Sequence, residues 1–216
     1  MIRDAVESDA EAIATIYAHH VLHGTATYDV DPPVSDDLLA RVRHVQAAGW
    51  PFIVVEDDGQ VAGYAYATQI RDRAAYAWTA EDSLYVHPDR LGKGFGTALL
   101  EELCRRAEGC GFRQMIGVIG GAEPASIRVH ARCGFREVGR AYGVGWKHGR
   151  WLDNVYMQRA LGKASREPPE VCSGGGGSPA RWGRRRVGQG FSCRSGRAAS
   201  KNAGAALLIP CLRVAG

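Results

Sequence analysis

One carboxylate and two histidines are the side chains of this sequence best suited to acid and base chemistry. Glu81 lies in the run WTAEDSLYV, whose other residues alternate toward a core. A carboxylate there could act as a general base, although a lone strand glutamate more often faces solvent. His130, in SIRVHARCGF, and His148, in KHG, carry imidazole groups, which are suited to proton transfer. Glu81 is therefore the candidate base, and each histidine is either functional or an ordinary core or turn residue.

A loop with three alternating glycines is the second feature with chemical potential. Gly92, Gly94 and Gly96 stand in LGKGFGT, between a β-branched run and an apolar helical run. Free backbone N–H groups and the positive end of a helix dipole would meet there, which favours an anion such as pyrophosphate. Neither the dinucleotide fingerprint nor the P-loop fits, because Thr97 replaces the third glycine and Gly94 follows Lys93.

The elements that would position these residues alternate along residues 1–161. Apolar residues at helical spacing predict helices over 9–19, 35–47, 94–108 and 125–133. Alternating β-branched and aromatic residues predict strands over 52–56, 61–68, 78–86, 113–119, 135–142 and 151–159. The pattern predicts an α+β domain, with an antiparallel half joined to one strand–loop–helix–strand crossover.

Charge and composition change at about residue 162. The chain has a formal net charge of +4, yet residues 162–216 hold ten Lys and Arg against two Glu, so residues 1–161 are acidic. This tail is rich in Gly, Ser and Arg and has no apolar periodicity. We expect it to be disordered and without a selected role. A nucleic-acid arm built on Arg184, Arg185 and Arg186 is the alternative, and the acidic domain makes nucleic-acid binding the less favoured interpretation.

The remaining composition indicates a cytoplasmic protein without a membrane span. The chain has no run of 18 apolar residues, and its charged N-terminus MIRDAVESDA lacks a signal-peptide core. Its six cysteines show no metal-ligand spacing, so reduced thiols and no metal site are expected.

Residues 1–161 resemble the GNAT N-acetyltransferases, and among them the phosphinothricin and methionine-sulfone N-acetyltransferases. The resemblance is carried by the loop pattern V-x-P-x-x-x-G-K-G-x-G and by the runs WTAEDSLYVHP, VIGG with SIRVHARCGF, and GWKHGRWLDNVYM. It implies a GNAT fold with a mixed, mostly antiparallel sheet of six or seven strands, splayed central strands and about four helices. It also implies acetyl transfer from acetyl-CoA to a small-molecule amine, without a metal and in a homodimer.

The resemblance assigns roles to individual residues. Glu81 matches the family's catalytic glutamate, His148 matches a histidine near the amine, and His130 would protonate or hydrogen-bond the departing coenzyme A thiolate. A bulge in the strand that carries Glu81 would expose a backbone N–H to the thioester oxygen. The residues expected to bind coenzyme A are Leu84, Tyr85, Val86, Gly92, Lys93, Gly94, Phe95, Gly96, Thr97 and Ser126.

The acceptor side is assigned in the same way. An amino acid carries a carboxylate, or its phosphinate analogue, which suits a guanidinium. Arg73 and Tyr76 match the family's substrate-side loop, with Arg71 as a rival. Thr25 and Tyr28 match the segment that caps the acceptor pocket.

Two positions depart from the family's pattern. Leu91 stands where Arg or Gln is usual, which should weaken phosphate binding, and Glu123 stands where Asn is usual, which should add repulsion. Both departures favour a catalytically silent acyl-CoA-binding module as the alternative, whereas Glu81 favours an enzyme.

Overall fold

The computed structural model describes residues 1–169 of the chain, so the interpretation of the tail from residue 170 onward lies outside the described residues. The strands are β1 (Ile2–Asp4), β2 (Phe52–Asp57), β3 (Gln60–Gln69), β4 (Thr79–Val86), β5 (Gln114–Gly120), β6 (Arg136–Lys147) and β7 (Arg150–Ala160). The helices are α1 (Ala10–His23), α2 (Ser35–Ala47), α3 (Phe95–Gly109) and α4 (Pro124–Arg132). This part of the chain therefore confirms the predicted α+β class.

The seven strands form a single sheet with the order β1-β2-β3-β4-β5-β7-β6. Only β4 and β5 pair in parallel, and every other neighbouring pair is antiparallel. Since parallel neighbours need a crossover, α3 and the glycine-containing loop connect β4 to β5. The predicted crossover is confirmed.

Helices cover both faces of this sheet, because apolar residues alternate in its central strands. On β2, Ile53 and Val55 face α3 in one core, whereas Phe52 and Val54 face α1 and α2 in another. The two cores hold the sheet between helix layers, and the ends of β4 and β5 lie between those layers.

The sequence prediction missed one strand and shortened another. β1 has three residues paired with β2, too few for a periodic signal. β6 continues to Lys147 rather than ending at Tyr142, and its pairing with β7 shifts register between Ala141 and Gly145. That irregularity hides the period of two that marks a strand in the sequence.

The central strands β4 and β5 diverge partway along their length. Their parallel pairing ends at Asp82 and Gly117. Beyond that point β4 stays paired with β3 as far as Val86, and β5 stays paired with β7 as far as Gly120. A V-shaped opening therefore lies between the two strands, which confirms the predicted splay.

The prediction of a bulge in β4 is wrong. The register between β3 and β4 runs without a shift from Gly63 opposite Val86 to Gln69 opposite Ala80. The splay arises instead because β5 follows β7 while β4 follows β3.

Candidate active site

β4 contains two acidic residues, Glu81 and Asp82, and their side chains point to opposite faces of the strand. Ala80 and Asp82 face the α3 and α4 side, so Glu81 faces the α1 and α2 side. Burial raises the pKa of Glu81 to about 7; the charge of Asp82 also raises it, and the charge of Arg71 lowers it. A carboxyl group with this pKa can exchange a proton near neutral pH.

Asp82 and His130 form a buried pair where β4 and β5 part. The Nε2 of His130 lies 3.1 Å from Oδ2 of Asp82, and the two side chains are 5% and 3% exposed. The Nδ1 of the same ring donates to the backbone carbonyl of Ser126 at 2.8 Å. Both ring nitrogens are therefore engaged by protein atoms.

The glycine loop (residues 92–97) leads into the first turn of α3. Gly94 is the N-terminal cap with a φ of 84°, and Gly92 has a φ of 78°. These left-handed conformations suit glycine and strain other residues. The first intrahelical hydrogen bond runs from Ala98 to Gly94, so the N–H groups of residues 95–97 have no partner within the helix. The loop and the helix end together form an anion-binding arrangement.

Lys93, the charged residue of the glycine loop, forms an ion pair with the hairpin of β2 and β3. Its Nζ lies 2.9 Å from Oδ2 of Asp57, which also lies 3.2 Å from a guanidinium nitrogen of Arg90. The ammonium group of Lys93 thus contacts Asp57, and an anion bound at the loop would share it.

The two residues that depart from the family's pattern lie in different surroundings. Leu91 is 62% exposed. Glu123 precedes α4, and its Oε1 accepts a hydrogen bond from the N–H of Ala125 at 3.3 Å. The carboxylate of Glu123 therefore caps a helix, a role for which acidic side chains are suited.

The edge of β4 beyond the splay carries the three predicted pantetheine-binding residues. Leu84 packs against the α3 core and Tyr85 against the α1 core. The carbonyl oxygen of Val86 accepts a hydrogen bond from Nε2 of His20 at 2.9 Å. The side chains of this segment are thus used in packing, and its backbone lines the opening.

The segment between α1 and α2 lies over the end of β5 and against the β6–β7 hairpin. The hydroxyl of Tyr28 donates to Oδ1 of Asn154 at 2.6 Å. A Cβ at Gly121 would stand 2.3 Å from Oγ1 of Thr25, and one at Gly145 would stand 2.0 Å from the ring of Tyr28. Residues 24–29, named here the acceptor segment, therefore depend on close contacts with glycine backbone.

Three hydrogen bonds anchor the acceptor segment from opposite sides. Lys147 is buried and its Nζ donates to the carbonyl of Thr27 at 2.8 Å. The hydroxyl of Tyr17 donates to Oδ2 of Asp29 at 2.7 Å. His148, in a left-handed turn with a φ of 50°, donates from Nε2 to the carbonyl of Gly24 at 3.1 Å. The structure thus brings His148 together with the predicted residues Thr25 and Tyr28.

The other predicted acceptor residues lie in the connection from β3 to β4. Arg73 precedes a short 3-10 turn that includes Tyr76, which is 43% exposed. Gln69 donates to the carbonyl oxygens of Arg71 and Arg73 and so shapes this connection. Because its charge lowers the pKa of Glu81, Arg71 is electrostatically linked to the candidate base.

Sequence reasoning did not identify Asp82, Lys147 or Asn154 as site residues. Each lies in a run that was singled out, beside or near Glu81 and His148. No local signal could assign them, because each contact joins elements that are distant in the chain. Among residues 1–169 no group of three or more His, Cys, Asp and Glu side chains could hold a metal ion. No helix in that same range is long and apolar enough to cross a membrane.

Comparison with known proteins places these features in context. Residues 13–135 match the Acetyltransferase (GNAT) family. A phosphinothricin N-acetyltransferase from Alcaligenes faecalis is 45% identical over 170 residues, which cover 78% of this chain and 86% of the relative. An L-methionine sulfoximine/L-methionine sulfone acetyltransferase from Salmonella typhimurium is 39% identical, covering 79% of this chain and 99% of the relative.

Solved structures give the same result. A GNAT superfamily phosphinothricin acetyltransferase from Sinorhizobium meliloti in complex with acetyl-CoA is 46% identical, with a TM-score of 0.78 over 80% of this chain and 94% of that one. A putative acetyltransferase from Salmonella typhimurium with its cofactor acetyl-CoA is 38% identical, with a TM-score of 0.76 over 80% and 98%.

Proposed function

The chain belongs to the GNAT acetyltransferase family, and we propose that it acetylates the amine of a small amino acid or analogue: phosphinothricin, methionine sulfone or methionine sulfoximine. It is an acetyl-CoA-dependent N-acetyltransferase. We propose three things beyond this activity: the class of acceptor, the catalytic base, and direct transfer of the acetyl group between the two substrates. One observation carries it: Glu81, a carboxyl group with a pKa of about 7, lies on the strand that borders the opening.

The residues around the opening fit acetyl-CoA. The glycine loop offers unpaired N–H groups at the start of α3 for the pyrophosphate, with Lys93 nearby. The backbone of residues 84–86 is not paired with β5, so it can bind the amides of pantetheine as an added strand would. Ser126 lies in the first turn of α4, the helix that follows β5. Acetyl-CoA supplies the activated acetyl group, and these residues orient it.

Glu81 acts as the general base in this proposal. The acceptor amine arrives mostly as an ammonium ion at neutral pH, and Glu81 takes its proton directly or through a water molecule. The amine nitrogen then attacks the thioester carbonyl carbon, the C–S bond breaks, and the thiolate takes the proton that the new amide loses. No covalent acetyl-enzyme forms.

The two histidines have different parts in the proposal. His148 is exposed and lies beside the acceptor segment, which supports a contact with the amine side. His130 is 4% exposed with both ring nitrogens engaged. Donation of a proton or of a hydrogen bond to the thiolate would require one of these contacts to open.

Recognition of the acceptor is assigned to a basic and an aromatic group of residues. Arg73 or Arg71 binds the carboxylate or phosphinate, and Tyr76 lies in the same connection. Thr25 and Tyr28 close the pocket from the acceptor segment.

The assembly and compartment are also proposals. Tyr142, Val144, Trp146 and Trp151 are each more than half exposed on the β6–β7 hairpin, and a contiguous apolar patch of this kind supports a homodimer. Cys104, Cys110 and Cys133 are free thiols, which supports a cytoplasmic location. Residues 162–216 are proposed to be a dispensable tail.

A panel of free amines tests the function. Wild-type enzyme and the variant Glu81→Gln are assayed with acetyl-CoA by release of the coenzyme A thiol. We expect turnover with phosphinothricin, methionine sulfone or methionine sulfoximine, and little with lysine side-chain analogues that lack a carboxylate. Equal turnover of amines with and without the carboxylate would reject the assigned acceptor class.

A further inference from the structure

Asp82, Gly117 and His130 meet at the point where β4 and β5 part. Asp82 and Gly117 are the last residues at which β4 and β5 pair with each other. A Cβ at Gly117 would stand 2.7 Å from both Nε2 and Cδ2 of the His130 ring, and 3.2 Å from Oδ1 of Asp82. The imidazole therefore lies directly against the backbone at the vertex of the splay, in a place that only glycine leaves open.

Both ring nitrogens of His130 contact oxygen atoms of the protein. A backbone carbonyl only accepts, so Nδ1, at 2.8 Å from the oxygen of Ser126, carries hydrogen. Nε2 faces the carboxylate of Asp82 at 3.1 Å. Burial alone lowers the pKa of His130, but the hydrogen bond and charge of Asp82 outweigh it, and the pKa is raised. The contact with Asp82 thus favours the charged form of His130 against the effect of burial.

The surroundings of this pair supply little else to hold it. The ring of Phe135 lies edge-on to His130 at 5.0 Å. Cys104 of α3 and Cys133 after α4 are neutral thiols whose pKa burial raises. Arg159 of β7 donates to the carbonyl of Cys133 at 2.7 Å. Asp82 Oδ1 is buried without a hydrogen-bond partner among the described residues.

A buried ion pair is costly to desolvate and adds little to stability, so its position at the vertex needs another explanation. We propose that Asp82 is a positioning residue for acetyl transfer: through His130 it fixes the angle at which β4 and β5 part, and hence the opening that receives the thioester. The inference rests on the proposed function, since it concerns the same opening. It assigns a task to Asp82 that is separate from the base Glu81 on the opposite face.

A double-mutant cycle tests whether Asp82 acts through His130. The variants are Asp82→Asn, His130→Gln and the double variant, measured by kcat/KM for acetyl-CoA and by its Kd in the absence of an acceptor. A small misplacement of a reacting group can cost up to about a hundredfold, so each single variant should lose about tenfold or more. The double variant should lose no more than His130→Gln alone. Losses that multiply, or an Asp82→Asn variant equal to wild type, would overturn the proposal.

The matched control is Asp89→Asn. The carboxylate of Asp89 is 86% exposed and lies 3.9 Å from Nδ1 of His87 just after β4, so the substitution neutralises a carboxylate near a histidine without touching the vertex. It should leave kcat/KM and the Kd unchanged.

The protonation of His130 in the wild-type chain gives a readout that needs no variant. Nitrogen-15 chemical shifts should report a titration midpoint of His130 above that of a free histidine. In Asp82→Asn the midpoint should fall below it, because burial then acts unopposed. A wild-type midpoint at or below that of a free histidine would overturn the proposal. Since neither this signal nor the Kd depends on an acceptor, failure of the proposed function and failure of this inference remain distinguishable.

Discussion

The ring of Tyr28 lies against the backbone of Gly145, so closely that a Cβ at that glycine would stand 2.0 Å from the ring carbon Cε1. An aromatic ring has no flexible end that could move aside, so Gly145→Ala must displace Tyr28 or the β6 strand. Overpacking of this kind typically costs about 1–3 kcal/mol. We expect a higher KM for the acceptor, by about tenfold, with the Kd for acetyl-CoA nearly unchanged.

Gly139→Ala is the control for this substitution. Gly139 is also on β6, and a Cβ there would have no atom within 4 Å among the described residues. Its KM should equal that of the wild type. An unchanged acceptor KM in Gly145→Ala would show that Tyr28 does not shape the acceptor pocket.

Local patterns account for the parts of the fold that the sequence predicted well. The helix predicted over 35–47 has the same bounds as α2, because its apolar residues repeat at helical spacing with no interruption. The turn between β2 and β3 also rests on local residues: Asp58 and Gly59 both have a positive φ, as a type I′ turn requires. Neither feature depends on distant residues.

Distant contacts account for what the sequence could not predict. Glu81 and the glycine loop belong to short motifs and were identified. The partners of Asp82 and Lys147 lie 48 and 120 residues away, and periodicity carries no information about such pairs. β6 was cut short because its glycines and register shifts break the alternation, although tertiary pairing with β7 continues to Lys147.

Gly94→Val should weaken acetyl-CoA binding without unfolding the domain. The φ of 84° at Gly94 is unfavourable for any residue with a Cβ, so the loop must change shape, and the N–H groups of the first turn of α3 will point elsewhere. We expect the Kd for acetyl-CoA, measured by calorimetry, to rise about tenfold or more.

Gly49→Val is the control for Gly94→Val, because it introduces the same kind of backbone strain away from the glycine loop. Gly49 has a φ of 76° and open space around it, and its carbonyl accepts from Cys110, which follows α3 at the end far from the loop. Like Gly94→Val, Gly49→Val introduces backbone strain and should lower the melting temperature. Its Kd for acetyl-CoA should be unchanged. Equal Kd values in the Gly94→Val and wild-type proteins would reject the pyrophosphate site.

Lys147→Met should loosen the acceptor segment. The substitution keeps a long side chain but removes the hydrogen bond to the carbonyl of Thr27; hydrogen bonds to charged groups contribute about 1.5–3 kcal/mol. We expect a rise of about tenfold in the acceptor KM and little change in the Kd for acetyl-CoA. Lys163→Met, in an exposed pair with Glu167, is the control. A change confined to acetyl-CoA binding would contradict this assignment.

A chain that ends at Leu161 should keep the melting temperature and activity of the full chain. Leu161 is 2% exposed and its N–H donates to the carbonyl of Arg113 at 2.9 Å, so it closes the core. A chain that ends at Gln158 loses this contact and the hydrogen bond from Arg159 to Cys133, and it should melt at a lower temperature. Loss of more than half the activity in the chain ending at Leu161 would show that the tail matters.

Glu81→Gln should change stability with pH in a direction set by burial. The pKa of Glu81 is raised to about 7 in the folded chain from the ordinary glutamate value of 4.5, so the folded state binds more protons than the unfolded state between these values. Stability contributed by this group is therefore lost as pH rises from about 4.5 to 7. Glutamine does not ionise. The melting temperature of the variant relative to wild type should increase from pH 5 to pH 8, and a constant difference would show that Glu81 is solvated.

The activity of the same variant tests the base itself. Glutamine keeps the shape of Glu81 but cannot accept a proton, and loss of a general base costs about a hundred- to ten-thousandfold in rate. We expect kcat to fall by that order with the Kd for acetyl-CoA nearly unchanged, because the side chain faces away from the α3 side. The wild-type kcat/KM should rise as pH increases through about 7, since the ionised carboxylate is the active form, and the variant should lose this limb. If product release limits the wild type, pre-steady-state acetyl transfer exposes the chemical step. A variant with wild-type transfer rates in that measurement would leave Glu81 as an ordinary strand residue, whereas slow transfer in both proteins would instead favour a silent acyl-CoA-binding module.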